Sequence, residues 1–169
     1  GIVYEGTADS HCNYIRLKDY KSLLSNKSTY EVEIKVDSVT ISAEETGYII
    51  GVYLMLAIGT PNSPLNKAII VSIRSNPTDG KNYLNVLQGS DALSVYRKDA
   101  EISFGEFHKI RLEANYTDGI HNVYLDNELI STFDNSKLSS NSSYSPYTQI
   151  DFERKCKCTI RSIRYRIDT

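Results

Sequence analysis

The segment FHKIRLEANYTDGIHNVYLDNELISTF, Phe107 to Phe133, decides the architecture. Ile110, Leu112 and Ala114 fall on one side of an extended chain and Arg111, Glu113 and Asn115 on the other, until Thr117-Asp118-Gly119 turns it. Val123 and Leu125 then point inward and Asn122 and Tyr124 outward. Asp126-Asn127 makes a two-residue turn into Glu128-Leu129-Ile130, because positive φ costs least for Gly, Asn and Asp. The spacing predicts a three-stranded meander with one apolar and one wet face.

The same alternation continues on either side of it. Tyr30, Val32, Ile34 and Val36 alternate with Glu31, Glu33, Lys35 and Asp37, a period of two that a helix would scatter round its circumference. Further β-rich runs lie at Ile49 to Ala57, Ala68 to Arg74, Tyr83 to Leu87, Leu93 to Arg97, Thr148 to Phe152 and Thr159 to Ile167. Turn formers separate them: GTPNSP, SNPTDG, QGSD and SSNSSYSP. Only Lys18 to Ser25 and Asn135 to Ser139 have room for a helical turn. Many short strands with regular turns predict an all-β fold, an antiparallel β-sandwich.

Composition sets bounds on what this sandwich does. At 169 residues without a shift in composition, the expectation is a single domain over residues 1–169, mature or excised from a larger protein. A net charge of -2 gives no electrostatic case for nucleic acid or an anionic membrane. The most apolar run, Tyr48 to Gly59, is too short to cross a bilayer, and GIVYEGTADS lacks the basic start and apolar stretch of a signal peptide. Thirteen tyrosines and no tryptophan suit half-buried strand positions and flat binding faces alike.

Cys12, Cys156 and Cys158 are the only cysteines. The KCKC spacing, with no neighbouring His, is not a zinc pattern. In a strand, Cys156 and Cys158 share a face, and either meets Cys12 if the terminal strands are neighbours; an oxidising compartment favours that bridge and a reducing one leaves free thiols. No Ser lies in a G-x-S-x-G elbow and no glycine-rich phosphate loop precedes a helix, which leaves nucleophilic catalysis and simple nucleotide binding without a motif. Asp79-Gly80, Asp118-Gly119 and Asp126-Asn127 offer oxygens to calcium, although each also reads simply as a turn.

FHKIRLEANYTDGIHNVYLDNELI resembles the hairpin of concanavalin A-like jelly rolls of the laminin-G kind, in which an aromatic-His or aromatic-Asn pair opens a strand and a V-Y-[LV]-[DN]-[GN]-x-L-I segment closes it. YIRLKDYKSLLSNKSTYEVEIKV, Tyr14 to Val36, resembles that group's early strands, and TIRSIRYRI its closing strand, which returns beside the first. Phe107 stands where tryptophan is usual and Asn127 where glycine is usual. The resemblance implies a structural role for His108 beside Phe107, and it gives a bridge from Cys12 to Cys156 or Cys158 a geometric rationale.

The same resemblance implies a carbohydrate-recognition or adhesion module, binding a saccharide or surface glycoprotein without catalysis, outside the cell, at a cell surface or on a virion. The residues expected to bind are Arg111, Glu113, Asn122 and Tyr124, with Tyr53 and Arg74 extending the platform; sugar rings offer C–H faces to aromatics and hydroxyls to Arg, Asn and Glu. A protein-interaction or assembly domain without a sugar site is the alternative. Glycoside hydrolysis by Glu31 and Glu33, alternate residues ~6.6 Å apart along one strand, is a third reading. Asn115 begins one of three N-x-S/T sequons, with Asn26 and Asn141, and a glycan there would obstruct this face.

Overall fold

Alternation of apolar and polar residues builds two sheets that bury their apolar sides against each other. The computed structural model describes residues 1–6, 13–16, 27–40, 49–59, 68–90, 93–115, 118, 120–134, 145–153 and 156–168. The strands are β1 (Ile2–Glu5), β2 (Asn13–Arg16), β3 (Lys27–Val39), β4 (Ile49–Gly59), β5 (Ala68–Asn76), β6 (Lys81–Ser90), β7 (Leu93–Glu101), β8 (His108–Asn115), β9 (Ile120–Leu125), β10 (Glu128–Asp134), β11 (Ser145–Phe152) and β12 (Cys156–Asp168). The first sheet has the order β1-β12-β3-β8-β9-β10 and the second β2-β11-β4-β5-β6-β7, with every neighbouring pair antiparallel. The expected helical turns at Lys18 to Ser25 and Asn135 to Ser139 lie outside the described residues.

The core sits between the sheets. Val32, Ile34, Ile110, Leu112 and Val123 face inward from the first sheet, and Val52, Leu54, Val71, Ile73, Leu84 and Ile150 from the second. Each such side chain, fully removed from water, contributes roughly 1.5–3 kcal/mol. Tyr4 of β1 stacks on Phe152 of β11, ring centroids 4.3 Å apart, so an edge strand of one sheet is tied to an inner strand of the other. Gly51, beside the Val52 that pairs with Phe152, allows close approach at the start of β4: a Cβ there would meet Val39 Cγ2 at 2.5 Å and Cys156 Sγ at 3.3 Å.

The meander forms as β8-β9-β10, with Asp126 (φ 51°) and Asn127 (φ 72°) both in the left-handed region that a two-residue hairpin turn demands. The terminal strands also pair, Ile2 opposite Ile160 and Tyr4 opposite Cys158. The expected disulfide involves Cys12, and only its two candidate partners are among the described residues. Cys156 and Cys158 are free thiols, and both point into the core at 1% and 0% exposure. The strand that approaches β12 places Tyr4, not a cysteine, across from Cys158. Cys12 lies outside the described residues.

Candidate functional site

Each sheet turns one face away from the core, and the expected binding residues divide between those two faces. Arg111, Glu113, Asn122 and Tyr124 come together on the first sheet as a two-by-two block, Arg111 opposite Tyr124 and Glu113 opposite Asn122. Tyr53 and Arg74 lie on the outer face of the second sheet, on the far side of the core. One continuous platform of all six is therefore corrected. Period-2 parity places a residue inside or outside its own sheet, but not on one sheet or the other.

On the first sheet several outer groups pair with one another. Arg111 Nε lies 3.1 Å from Glu113 Oε1 and its guanidinium sits 4.1 Å from the Tyr124 ring centroid. Arg161 pairs with Glu33 at 2.6 Å and Arg164 with Glu31 at 3.8 Å, so both carboxylates of the hydrolase reading are engaged by arginines from β12. Lys35 pairs with Asp37 at 2.9 Å. Arg161 also covers Phe107, 3.7 Å from its centroid. Burial, with the Glu113 carboxylate next in effect, pushes the Tyr124 phenol up.

On the second sheet a single row of side chains crosses every strand. Tyr14 of β2 stands opposite Asp151 of β11, Asp151 opposite Tyr53 of β4, Tyr53 opposite Ser72 of β5, Ser72 opposite Asn85 of β6, and Asn85 opposite Asp99 of β7. All alternate with core residues and so face outward. At ~4.8 Å between strands the row runs about 24 Å.

This outward row is unusually buried. Ser72 and Asn85 are 1% exposed and Asp151 7%, with Arg74 and Gln149 buried on the flanking rows, whereas Tyr14 is 58% exposed at the end. Buried charge is tolerated where it is paired. Arg74 Nη2 lies 2.6 Å from Asp99 Oδ1, Asn85 Nδ2 donates to the same oxygen at 2.6 Å, and Gln149 Nε2 donates to Asp151 Oδ1. Asn85 Oδ1 is buried and has no hydrogen-bond partner. Of this row the sequence reading named Tyr53 alone, with Arg74 beside it. Ser72, Asn85 and Asp151 were legible as outward strand positions, but nothing local marks a Ser or Asn as buried.

His108 is structural. Its Nδ1 lies 2.7 Å from Asp126 Oδ2, and Asp126 Oδ1 accepts from the Lys109 amide at 2.8 Å. Ser103 Oγ is 3.1 Å from His108 Nε2, which makes the trio look like a nucleophilic triad. However, Nε2 also faces the Ser103 carbonyl oxygen at 3.0 Å, and the Ser103 hydroxyl bonds to Glu106 Oε1. The Ser103 hydroxyl is thus directed at a carboxylate, and the ring is tied between the β9–β10 turn and the Ser103 backbone.

The acidic turns are likewise occupied. Asp79 accepts from the Lys81 amide at 2.9 Å and the Tyr83 hydroxyl at 2.7 Å, and these bonds hold its carboxyl below the usual range. Asp118 accepts from Asn115 Nδ2 at 2.7 Å. Among the described residues no three His, Cys, Asp or Glu side chains are grouped to hold a metal ion, and no helix is long and apolar enough to cross a membrane.

No protein-family model and no curated protein sequence matches the chain. Solved structures do. The carbohydrate-binding module CBM66 from Bacillus subtilis superposes with a TM-score of 0.53 at 11% identity, over 85% of this chain and 76% of that one. The carbohydrate recognition domain of Emp46p gives 0.64 at 15% identity, over 90% and 76%. Alginate lyase AlyC3 gives 0.66 at 10% identity, over 97% and 74%. These likenesses are of fold alone, and with the two six-stranded antiparallel sheets they show that the chain adopts the concanavalin A-like jelly-roll β-sandwich.

Proposed function

We propose that the chain is a non-catalytic carbohydrate-recognition module whose ligand lies along the Tyr14–Asp151–Tyr53–Ser72–Asn85–Asp99 row. The observation that carries this reading is the unpartnered acceptor Asn85 Oδ1, buried on the outward side of a sheet within a row of polar side chains. An unmet buried acceptor costs about 1–3 kcal/mol, which a donating hydroxyl recovers. Tyr53 and Tyr14 supply rings for sugar C–H faces, while Asp151, Asn85 and Ser72 supply hydrogen bonds in fixed register. Similar folds in a carbohydrate-binding module and a carbohydrate recognition domain support it.

Such a site is preformed and weak singly, and repetition within a larger extracellular, cell-surface or virion assembly raises its avidity. A glycan array followed by calorimetric titration tests the reading. Tyr53→Ala is expected to weaken binding at least tenfold, and a folded protein that binds no glycan overturns the assignment in favour of a protein-interaction domain.

One observation favours a second, enzymatic reading. Tyr53 lies between Asp151 and Ser72 in a row flanked by Arg74, and a tyrosine beside a carboxylate and a cation can move protons at a uronate. Alginate lyases, one of them solved with dimannuronate, share the fold. Ultraviolet-absorbing unsaturated products released from alginate by the unmodified protein would establish it, and their absence at high enzyme concentration rejects it.

A further inference from the structure

The outer face of the first sheet carries two adjoining clefts that the reading above leaves unused. One, about 220 Å³, is lined by Thr29, Glu31, Arg111, Glu113, Arg164 and Arg166. The other, about 370 Å³, shares Thr29, Glu113 and Arg166 with it and adds Lys27, Asn115 and Asn122 among its walls. They lie over two cross-strand rows, Arg164–Glu31–Arg111–Tyr124 and Arg166–Thr29–Glu113–Asn122.

The charge of these walls runs against the charge of the chain. Lys27, Arg111, Arg164 and Arg166 face Glu31 and Glu113, an excess of cations on a protein whose net charge is -2. The two carboxylates do not cancel it evenly. Glu113 is held close by Arg111 at 3.1 Å, whereas Arg164 reaches Glu31 only at 3.8 Å with its side chain 75% exposed. A cleft that concentrates guanidinium groups attracts anions, and forked guanidinium donors match carboxylate and sulfate oxygens.

The remaining walls narrow the class of anion. Glu31 and Glu113 offer acceptors to hydroxyls, as do the second lone pairs of Asn115 Oδ1 and Asn122 Oδ1 beside their bonds from the Asp118 amide and Thr132; a saccharide has hydroxyls in number and a phosphodiester backbone does not. Carboxylates also interrupt any track for consecutive phosphates, and the Tyr124 ring, already covered by Arg111, leaves no open platform for a base. We infer that these clefts are a second binding site, distinct from the row on the other sheet, for an anionic saccharide whose carboxylate or sulfate sits against Arg164 and Arg166.

The test measures affinity for polygalacturonate and for dextran sulfate beside their neutral counterparts, carboxyl-reduced polygalacturonate and dextran, using the full chain and an Arg164→Glu/Arg166→Glu variant. Both positions are exposed, and circular dichroism checks that the variant is folded. The expected result is at least a tenfold preference for one charged polymer over its neutral counterpart, weakened by added salt and lost in the variant. Carboxylate and sulfate are told apart by which polymer is preferred. Equal affinity for charged and neutral polymers, or charged-polymer binding unchanged in the variant, overturns the inference. So does single-stranded RNA binding more tightly than either polymer through the same two arginines. Tyr53→Ala is run in parallel: loss of neutral-glycan binding there, with the acid preference absent in the unmodified chain, would reject this site while leaving the other standing.

Discussion

Arg74 of β5 reaches across β6 to place its Nη2 2.6 Å from Asp99 Oδ1 on β7, with 6% of the arginine side chain and 34% of the aspartate exposed. Asn85, on the strand between them, donates to the same oxygen. Asp99→Ala removes an acceptor shared by two buried donors, and unmet buried partners of a charged pair cost about 2–4 kcal/mol, reduced here because the aspartate is partly wet. A urea midpoint shift corresponding to about 2 kcal/mol is expected, and a smaller one for Asp99→Asn. No shift would show that the pair does not support the row.

His108→Ala is expected to destabilise by about 1–3 kcal/mol, because it unties Asp126 and the Ser103 carbonyl from the start of β8 at once. Glycan affinity per folded molecule should not change, since the staple lies on the first sheet, away from the Tyr53 row. Thermal unfolding and titration of the same samples check both halves.

Asn127 holds φ at 72°, in the left-handed region where glycine is least strained. Asn127→Gly should be within about 0.5 kcal/mol of the parent, and Asn127→Ala should lose about 1 kcal/mol, since a Cβ without a compensating local hydrogen bond is disfavoured there. Equal stability of the two variants would mean that the turn relaxes to another type.

The Cys158 thiol is pushed up, first by its contact with Cys156 and then by burial. Unfolding frees a thiol of ordinary acidity, with a pKa near ~8.5, so its contribution to stability is complete below that pH and is lost as pH rises above it. Tyr30, pushed up by burial, adds a second loss above about pH 10. Stability should therefore fall on the alkaline side, less steeply in Cys158→Ala. Native protein should resist alkylation by iodoacetamide at both core thiols until it is unfolded.

The meander, the inward set Ile110, Leu112, Val123 and Leu125, and the Asp126-Asn127 turn were legible because period-2 alternation and turn chemistry are local properties of the chain. The pairing of the terminal strands was legible only through the resemblance of TIRSIRYRI to a closing strand that returns beside the first. β2 entered only as the start of the Tyr14 to Val36 segment that resembles early strands, and the bounds of β1 went unread, as four-residue edge strands carry too little alternation to register. The burial of Ser72 and Asn85, and the separation of Arg74 from Arg111, were not legible, since both depend on which strands become neighbours. The cysteines were legible in part. Parity put Cys156 and Cys158 on one face correctly, but that face is the core, and Tyr4 occupies the position across from Cys158.

The row from Tyr14 to Asp99 takes one side chain from each of six strands, with no two of its members adjacent in sequence. Its direction is perpendicular to the chain, so a linear ligand lying on it is sampled at steps of ~4.8 Å, each step set by a single codon on a different strand. A change at one step leaves the backbone and the core alternation of every strand intact. On the proposed reading, a substitution in this row would alter one contact at a time, while the hydrogen-bond ladders keep the register of the others fixed.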